Sequence, residues 1–410
     1  MESNTLSPEL RAFILAKVLQ SLSLYFAHWE DAQLGKEELD AAFEELTREA
    51  MACQDRRSFS LQMMAFLARL NNGHTRFLDP DLEALPPLGM RIRPVEGRWT
   101  ALMSDLPGIA AGDIILDLAG QSAEAWFDAV RPYTVGSPQA RTVQFGEQYA
   151  IFRELLGQFL PERLDYRVED AGGKVHTVTV DRRTLVRAAP ASSTQGRWLS
   201  PSVGYIKVPS FLDPEFEKQA LTQVQAFKHA ACLVVDVRGN GGGSTPQALT
   251  SALINRPYRW WTESSPLNVG LFAYEAQMGH NVERWGYSQL SWHSPARDPD
   301  PEAYQGRMII LVDRATWSAA EDFTMPFKDT GRAVIVGETT GGSTGQPFVH
   351  TFSNGMGVGI GTKRATLPDG TRFEGAGIVP DVQVDLHRED LYTGHDRVLD
   401  KALALALNET

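Results

Sequence analysis

Three textures of apolar spacing follow one another along the chain. From Ser7 to about Asn71, apolar residues recur three and four positions apart: Leu10, Phe13, Ile14, Val18 and Leu19, then Leu39, Ala42, Phe43 and Leu46, then Met63, Phe66, Leu67 and Leu70. That period predicts amphipathic helices and a small helical domain, residues 1–85. After LPPLGMRIRP the pattern changes to short strands and turns, runs through PGIAAGDIILDLAGQSAEAWFDAV (Pro107 to Val130) and closes near VHTVTVDRRT. This is a β-rich domain, residues 86–186, in which Gln139 to Phe159 reads as an inserted helix. From Gly204 strands alternate with helices: VGYIKVPSF, DPEFEKQALTQVQAF, CLVVDV, TPQALTSALI, MIILVD, SAAEDFTMPF and AVIVGE. Such alternation predicts an α/β unit with a largely parallel sheet, residues 187–410. Residues 260–305 interrupt it with a polar segment bearing Trp261, Phe272, Tyr274, Trp285, Tyr287 and Trp292. Excursions of that length serve as lids or binding elements, or as surface ornament.

Composition narrows the classes. With 410 residues, 43% of them apolar, the chain can bury a large core spread over roughly two or three domains. A formal net charge of -12 argues against a nucleic-acid partner. The two cysteines, Cys53 and Cys232, sit in apolar elements without CxxC or metal-ligand spacing, so no metal site is expected and a reducing compartment fits. The N-terminal segment has an early acid and no basic n-region, and no apolar run reaches the roughly 18 residues of a spanning helix. A cytoplasmic protein without a membrane partner is the expectation. Gly239, Gly241 and Ser244 imitate a dinucleotide fingerprint, but serine replaces the third glycine and no second strand ending in an acid follows. No cofactor is expected.

Candidate chemistry concentrates in two strand-turn-helix passages, Ala231 to Ile254 and Arg307 to Phe327. Ser318 falls where a strand gives way to a helix N-terminus, whose unpaired N–H groups and positive dipole end favour a developing negative charge. Gly241, Gly242 and Gly243, lacking Cβ atoms, could bring further N–H groups close to the same point. A serine facing two sources of donors suits acyl transfer. Ser318 with Glu321 three residues later also fits a capping box, and the two roles are compatible. Gly341 to Gly345 spell G-x-S-x-G after a strand, but the sequence that follows, QPFVHTFSNGMGVGIG, reads as a hairpin rather than the helix a nucleophile elbow must open.

The succession VGYIKVPSF, DVRGNGGG, TWSAAED, VGETTGG and FEGAGIVPDVQV resembles the S41 family of serine peptidases, which includes the C-terminal processing (tail-specific) proteases and tricorn core protease. Gly108, Ile109, Gly112, Asp113, Ile114, Ile115 and Gly120 resemble the corresponding motif of a PDZ domain, the other reading being a generic β-hairpin domain. The S41 resemblance implies a ClpP/crotonase-like α/β core with Ser318 as nucleophile. It also implies an oxyanion hole from the N–H groups of Gly242 and Ala319, shaped by Gly241. The processing-protease branch takes its general base from a lysine after the VGE strand. Here Ser343 stands in that place, so a Ser-Lys dyad is not expected, and Lys363 is a distant substitute. The tricorn-like branch implies His74, from LNNGHT, as base, with Glu374, from FEGAGIVPD, orienting it directly or through an intermediary. Tricorn carries a serine before its histidine; this chain has Gly73. The plainer readings are a turn residue for His74 and a strand-end carboxylate for Glu374.

Together these features imply a serine peptidase that forms an acyl-enzyme and acts on a peptide or protein substrate. The PDZ-like module would hold that substrate by strand addition or by its C-terminal carboxylate. The alternative from a different class is a non-catalytic peptide or hydrophobic-ligand binding protein on the same scaffold. A hydrolase dedicated to one small peptide is a third reading. Nothing in the pattern sets an oligomeric state.

Overall fold

The computed structural model describes residues 6–83, 89–155, 162–181, 193–266, 278 and 291–407. Its centre is a six-stranded sheet in the order Val382–Gln383, Val334–Gly337, Arg307–Val312, Cys232–Asp236, Val203–Lys207 and Gln195–Ser200. The first five strands run parallel and Gln195–Ser200 closes the edge antiparallel. Cys232–Asp236 is buried along its whole length, as a strand covered on both faces must be. On one face Leu233, Val235, Ile310, Val312 and Ile335 pack with residues of the helices Pro214–Ala226, Gln247–Leu253 and Ala319–Asp329. On the other, Val234, Ile309, Leu311 and Val336 pack with the helix Arg397–Leu407.

The N-terminal helices Pro8–Tyr25, Leu39–Ala52 and Arg56–Ala68 do not close a core by themselves. Ile14, Val18, Leu22, Phe43, Phe59 and Leu67 share one cluster with Phe348, Phe352, Met356, Val358 and Ile360, residues some 300 positions later. These last five belong to a hairpin, Pro347–Thr351 and Gly357–Gly361, whose second strand also pairs antiparallel with Arg76–Leu78. The resulting three-stranded sheet joins the helical layer to the α/β unit. Asp79, at the end of Arg76–Leu78, is buried and accepts from Arg56 (2.6 Å) and from the Ser60 hydroxyl (2.7 Å), fixing that strand to the third helix.

The β-rich layer is a five-stranded antiparallel sheet: Met90–Val95, Arg98–Ser104, Ile114–Leu118, Arg163–Glu169 and Val175–Asp181. Between its third and fourth strands lie the helices Ala123–Val130 and Pro138–Leu155. The second is the helix expected from Gln139 to Phe159, whose Phe159 lies outside the described residues. Trp126, fully buried, anchors the first against Leu118 and Tyr166. A buried ion pair, Arg93–Glu338 at 2.8 Å, and a hydrogen bond from Arg388 to the Gly112 carbonyl (3.0 Å) dock this layer on the core. Of the aromatic segment, Thr262–Ser264 and Ser291–His293 form a small sheet with Arg364–Thr366. Phe272, Tyr274, Trp285 and Tyr287 lie outside the described residues. Among the described residues no helix is long and apolar enough to cross a membrane.

Candidate active site

Two turns at the ends of adjacent parallel strands build one side of the site. Residues 236–243 leave Cys232–Asp236, and residues 313–318 leave Arg307–Val312. Asp313 accepts the N–H groups of Gly239 (2.9 Å) and Ala315 (3.0 Å), Thr316 donates its hydroxyl to the Val237 carbonyl (3.1 Å), and the Trp317 N–H reaches the Asn240 carbonyl (3.0 Å). The turns are thus stitched to each other before any side chain of the site is placed. Ser318, at the N-cap of Ala319–Asp329, has φ 55° and ψ -120°, a conformation L residues rarely adopt and one that surrounding structure must hold. Glu321 supplies part of that hold. Its buried carboxyl accepts the N–H groups of Ser318 (3.0 Å), Gly342 (2.7 Å) and Ser343 (3.2 Å) and the Thr340 hydroxyl. Burial raises Glu321 to about 8, against the pull of those four donors.

His74 arrives from the other side. Asn72 Oδ1 accepts the His74 N–H (3.1 Å) and the Thr75 hydroxyl (2.9 Å), while Thr75 Oγ1 accepts the Gly361 N–H (2.9 Å), so the His74 turn is tied to the hairpin strand. His74 Nε2 then stands 3.2 Å from Ser318 Oγ and Nδ1 stands 2.9 Å from Ser343 Oγ. Glu374 lies beside the Ser343 hydroxyl, is buried, and accepts the Thr344 N–H (3.3 Å) and an Asn72 amide hydrogen (3.4 Å). Burial, with Arg76 nearby, lowers His74 to about 4, and burial raises Glu374 well above the ordinary carboxylate range. When Nδ1 carries the imidazole proton and donates it to Ser343 Oγ, the Nε2 lone pair is left facing the Ser318 hydroxyl.

Ser343 is the member that sequence reasoning did not assign. It was legible only as the residue standing in the lysine's place. Its role depends on Gly73: a Cβ there would lie 2.9 Å from Ser343 Cβ and 2.4 Å from the Trp317 ring. A side chain at position 73 and Ser343 would therefore compete for one space. The G-x-S-x-G segment opens into the strand Pro347–Thr351 rather than a helix. Lys363, nearly fully buried, bonds to Gln346 and faces Glu263 at 3.9 Å.

The expected oxyanion donors divide. Gly242, at φ 93°, must be glycine, since a Cβ would meet Ser318 Cβ at 2.7 Å and the Trp317 carbonyl at 2.8 Å. Its N–H, however, donates to Asn240 Oδ1 (2.9 Å), because that side chain closes an Asx turn over its own two successors. In this conformation the Gly242 N–H is therefore engaged within its own turn. Gly241 beside it is exposed, with open space around its Cα. The Ala319 N–H lies in the first helical turn, where no intrahelical acceptor exists. Ser318, His74, Gly241, Trp260, Trp261 and Lys363 all line a cleft of about 880 Å3. Among the described residues no His, Cys, Asp and Glu side chains gather as metal ligands.

Residues 202–384 match the model of peptidase family S41. The chloroplastic C-terminal processing peptidase of Tetradesmus obliquus is 28% identical over 187 residues, 45% of this chain and 35% of that protein. Tricorn protease homolog 1 of Streptomyces coelicolor (strain ATCC BAA-471 / A3(2) / M145) is 26% identical over 313 residues, covering 73% of this chain and 24% of the homolog. In fold the chain is similar to the crystal structure of mature CPAF, with a TM-score of 0.73 over 98% of each chain at 17% identity. The chain spans about a third of the length of the chloroplastic processing peptidases it matches.

Proposed function

We propose that this protein is a serine peptidase that hydrolyses peptide bonds through an acyl-enzyme, with Ser318 as nucleophile and His74 as general base. The observation that carries the reading is the 3.2 Å approach of His74 Nε2 to Ser318 Oγ, across 244 residues of sequence. His74 takes the hydroxyl proton as Oγ attacks the carbonyl carbon, then gives it to the leaving amine as the C–N bond breaks. Water, deprotonated by the same nitrogen, releases the acyl group. Glu374 acts through Ser343, which keeps the proton on Nδ1 and the imidazole in the attacking orientation. The Ala319 N–H faces the developing oxyanion, and a single such donor is worth about 2.7–4 kcal/mol. The second comes from the glycine turn when Asn240 yields the Gly242 N–H, or from Gly241 beside it.

The five-stranded module is PDZ-like in this reading and takes an extended peptide by strand addition or by its carboxylate. The C-terminal processing peptidases among the relatives support capture by the C-terminus. The test is labelling with a fluorophosphonate together with hydrolysis of a peptide library, for wild type and Ser318→Ala. Labelling confined to the wild type supports the assignment; equal labelling refutes it. One observation favours the non-catalytic binding reading, the engagement of the Gly242 N–H by Asn240. That reading requires tight peptide binding with neither labelling nor turnover.

A further inference from the structure

The four loops that carry Ser318, His74, Ser343 and Glu374 come from distant parts of the chain, yet one short corner touches all of them. It lies at residues 134–141 of the β-rich layer, the connection that follows the helix Ala123–Val130 together with the first turn of the helix Pro138–Leu155. Gly136 sits where a Cβ would come within 3.3 Å of both the Gly73 Cα and the Trp317 ring, beside the His74 and Ser318 turns. Ser137, fully buried, donates its hydroxyl to the Gly341 carbonyl (2.7 Å), two residues before Ser343. Gln139 donates both amide hydrogens, one to the Thr340 carbonyl (2.9 Å) and one to the Ala376 carbonyl (3.0 Å), which lies two residues after Glu374. Arg141 completes the set with a bond to Asn71 Oδ1 (3.0 Å). The corner is itself braced: Gln144 pairs with both backbone groups of Val135 (3.1 and 2.7 Å), and Arg141 bonds back to the Gly136 carbonyl (3.0 Å).

We propose that Ser137 and Gln139 are positioning residues for the relay, clamping the Ser343 and Glu374 loops to each other and to the His74 turn without touching substrate. This rests on the acyl-transfer reading of the site. Neither loop is part of a helix or strand. They meet through Gly375 N–H to the Gly342 carbonyl (2.8 Å), Thr340 N–H to the Ile378 carbonyl (3.2 Å) and Ile378 N–H to the Thr340 hydroxyl (2.8 Å). Ser137 and Gln139 brace that meeting point from the side of the His74 turn. Gly342 lies so close to residues 376–377 that a Cβ there would stand 2.7 Å from the Gly377 N. A shift of one loop past the other therefore pulls Ser343 from His74 Nδ1. A displacement of about 1 Å at such a point costs on the order of 100-fold in rate.

The experiment compares the full chain with Ser137→Ala and with Gln139→Glu, which keeps the size of the side chain and removes its donors. Turnover of a peptide substrate, melting temperature and the imidazole 15N titration of His74 are read together, the His74 signal being assigned from a His74→Gln spectrum. Expected are a 10- to 100-fold loss of kcat, KM within about threefold, an unchanged melting temperature and a His74 titration moved upward from about 4 toward 6.5 as water reaches the loosened imidazole. Wild-type kcat in both variants, or a loss that follows melting temperature with the His74 titration unmoved, overturns the proposal. Failure of the wild type to react with a fluorophosphonate overturns the peptidase reading instead. The His74 titration still decides the clamp in that case, because an unmoved titration in both variants overturns it with no turnover needed.

Discussion

The two halves of the site are held by different kinds of structure. Ser318 stands at a strand-helix junction of the central sheet, where neighbouring parallel strands and the turns leaving them are bonded to each other within a few residues. His74 stands on a turn whose position depends on a three-stranded sheet and a cluster of apolar side chains gathered from both ends of the chain. The Ser318 side is locally determined and the His74 side is determined by docking. Substitutions should therefore separate them: the first half fails chemically with the fold intact, the second geometrically.

The sharpest contrast is Ser318→Ala. It should reduce turnover by about four or more orders of magnitude and abolish fluorophosphonate labelling, with a melting temperature near wild type, as calorimetry and intact mass will report. Next, Gly73→Ser attacks the docked half. The new Cβ enters space held by Trp317 and Ser343 and should cost on the order of 100-fold in kcat and about 1–3 kcal/mol in stability, read by steady-state kinetics and urea unfolding. Ser343→Ala removes the hydroxyl between His74 and Glu374 without adding bulk, and about a tenfold loss of kcat with unchanged KM is expected. If Ser343→Ala matches wild type, Glu374 does not act through it.

Acidity probes the same division more gently. Because burial lowers His74 to about 4, the acid limb of the kcat/KM profile should fall near pH 4 rather than near the ordinary histidine value, leaving activity at pH 5.5 close to its plateau. The smallest effect concerns stability. His28 is buried, 3.9 Å from Glu374, and burial lowers it from 6.5 to about 3. The unfolded chain therefore binds more protons between those values, and His28 subtracts stability as pH falls from about 6.5 toward 3, by up to about 1.4 kcal/mol per pH unit. The urea-midpoint difference between wild type and His28→Gln should shrink across that window, and a difference independent of pH would overturn the assignment.

The sequence revealed the two halves unequally for the same reason. Ser318 and the glycine turn were legible because strand, turn and helix N-terminus follow within about twenty residues, and the α/β layer followed from the alternation of their periods. The helical layer was legible as helices but not as an open one, since nothing in Leu10 to Leu70 shows that Phe348 and Met356 complete its core. His74 owed its prominence to family resemblance alone. Neither Ser343 nor the Gly136–Gln139 corner had a pattern of its own, because their importance lies in contacts across 200 or more residues. The engagement of Gly242 by Asn240 is a local turn that a tract of three glycines conceals.

The hairpin at residues 347–361 has a consequence for the newborn chain. Translation delivers the His74 imidazole early, but the strand that seats it and the Glu374 carboxyl buried behind Ser343 emerge only after most of the polypeptide has been made. Until then the first three helices wait with an uncovered apolar face, and the hydroxyl at position 318 has no partner. If the proposed peptidase reading holds, a ribosome-bound or prematurely terminated fragment is inert, and assembly of the fold doubles as a safety catch on that reaction.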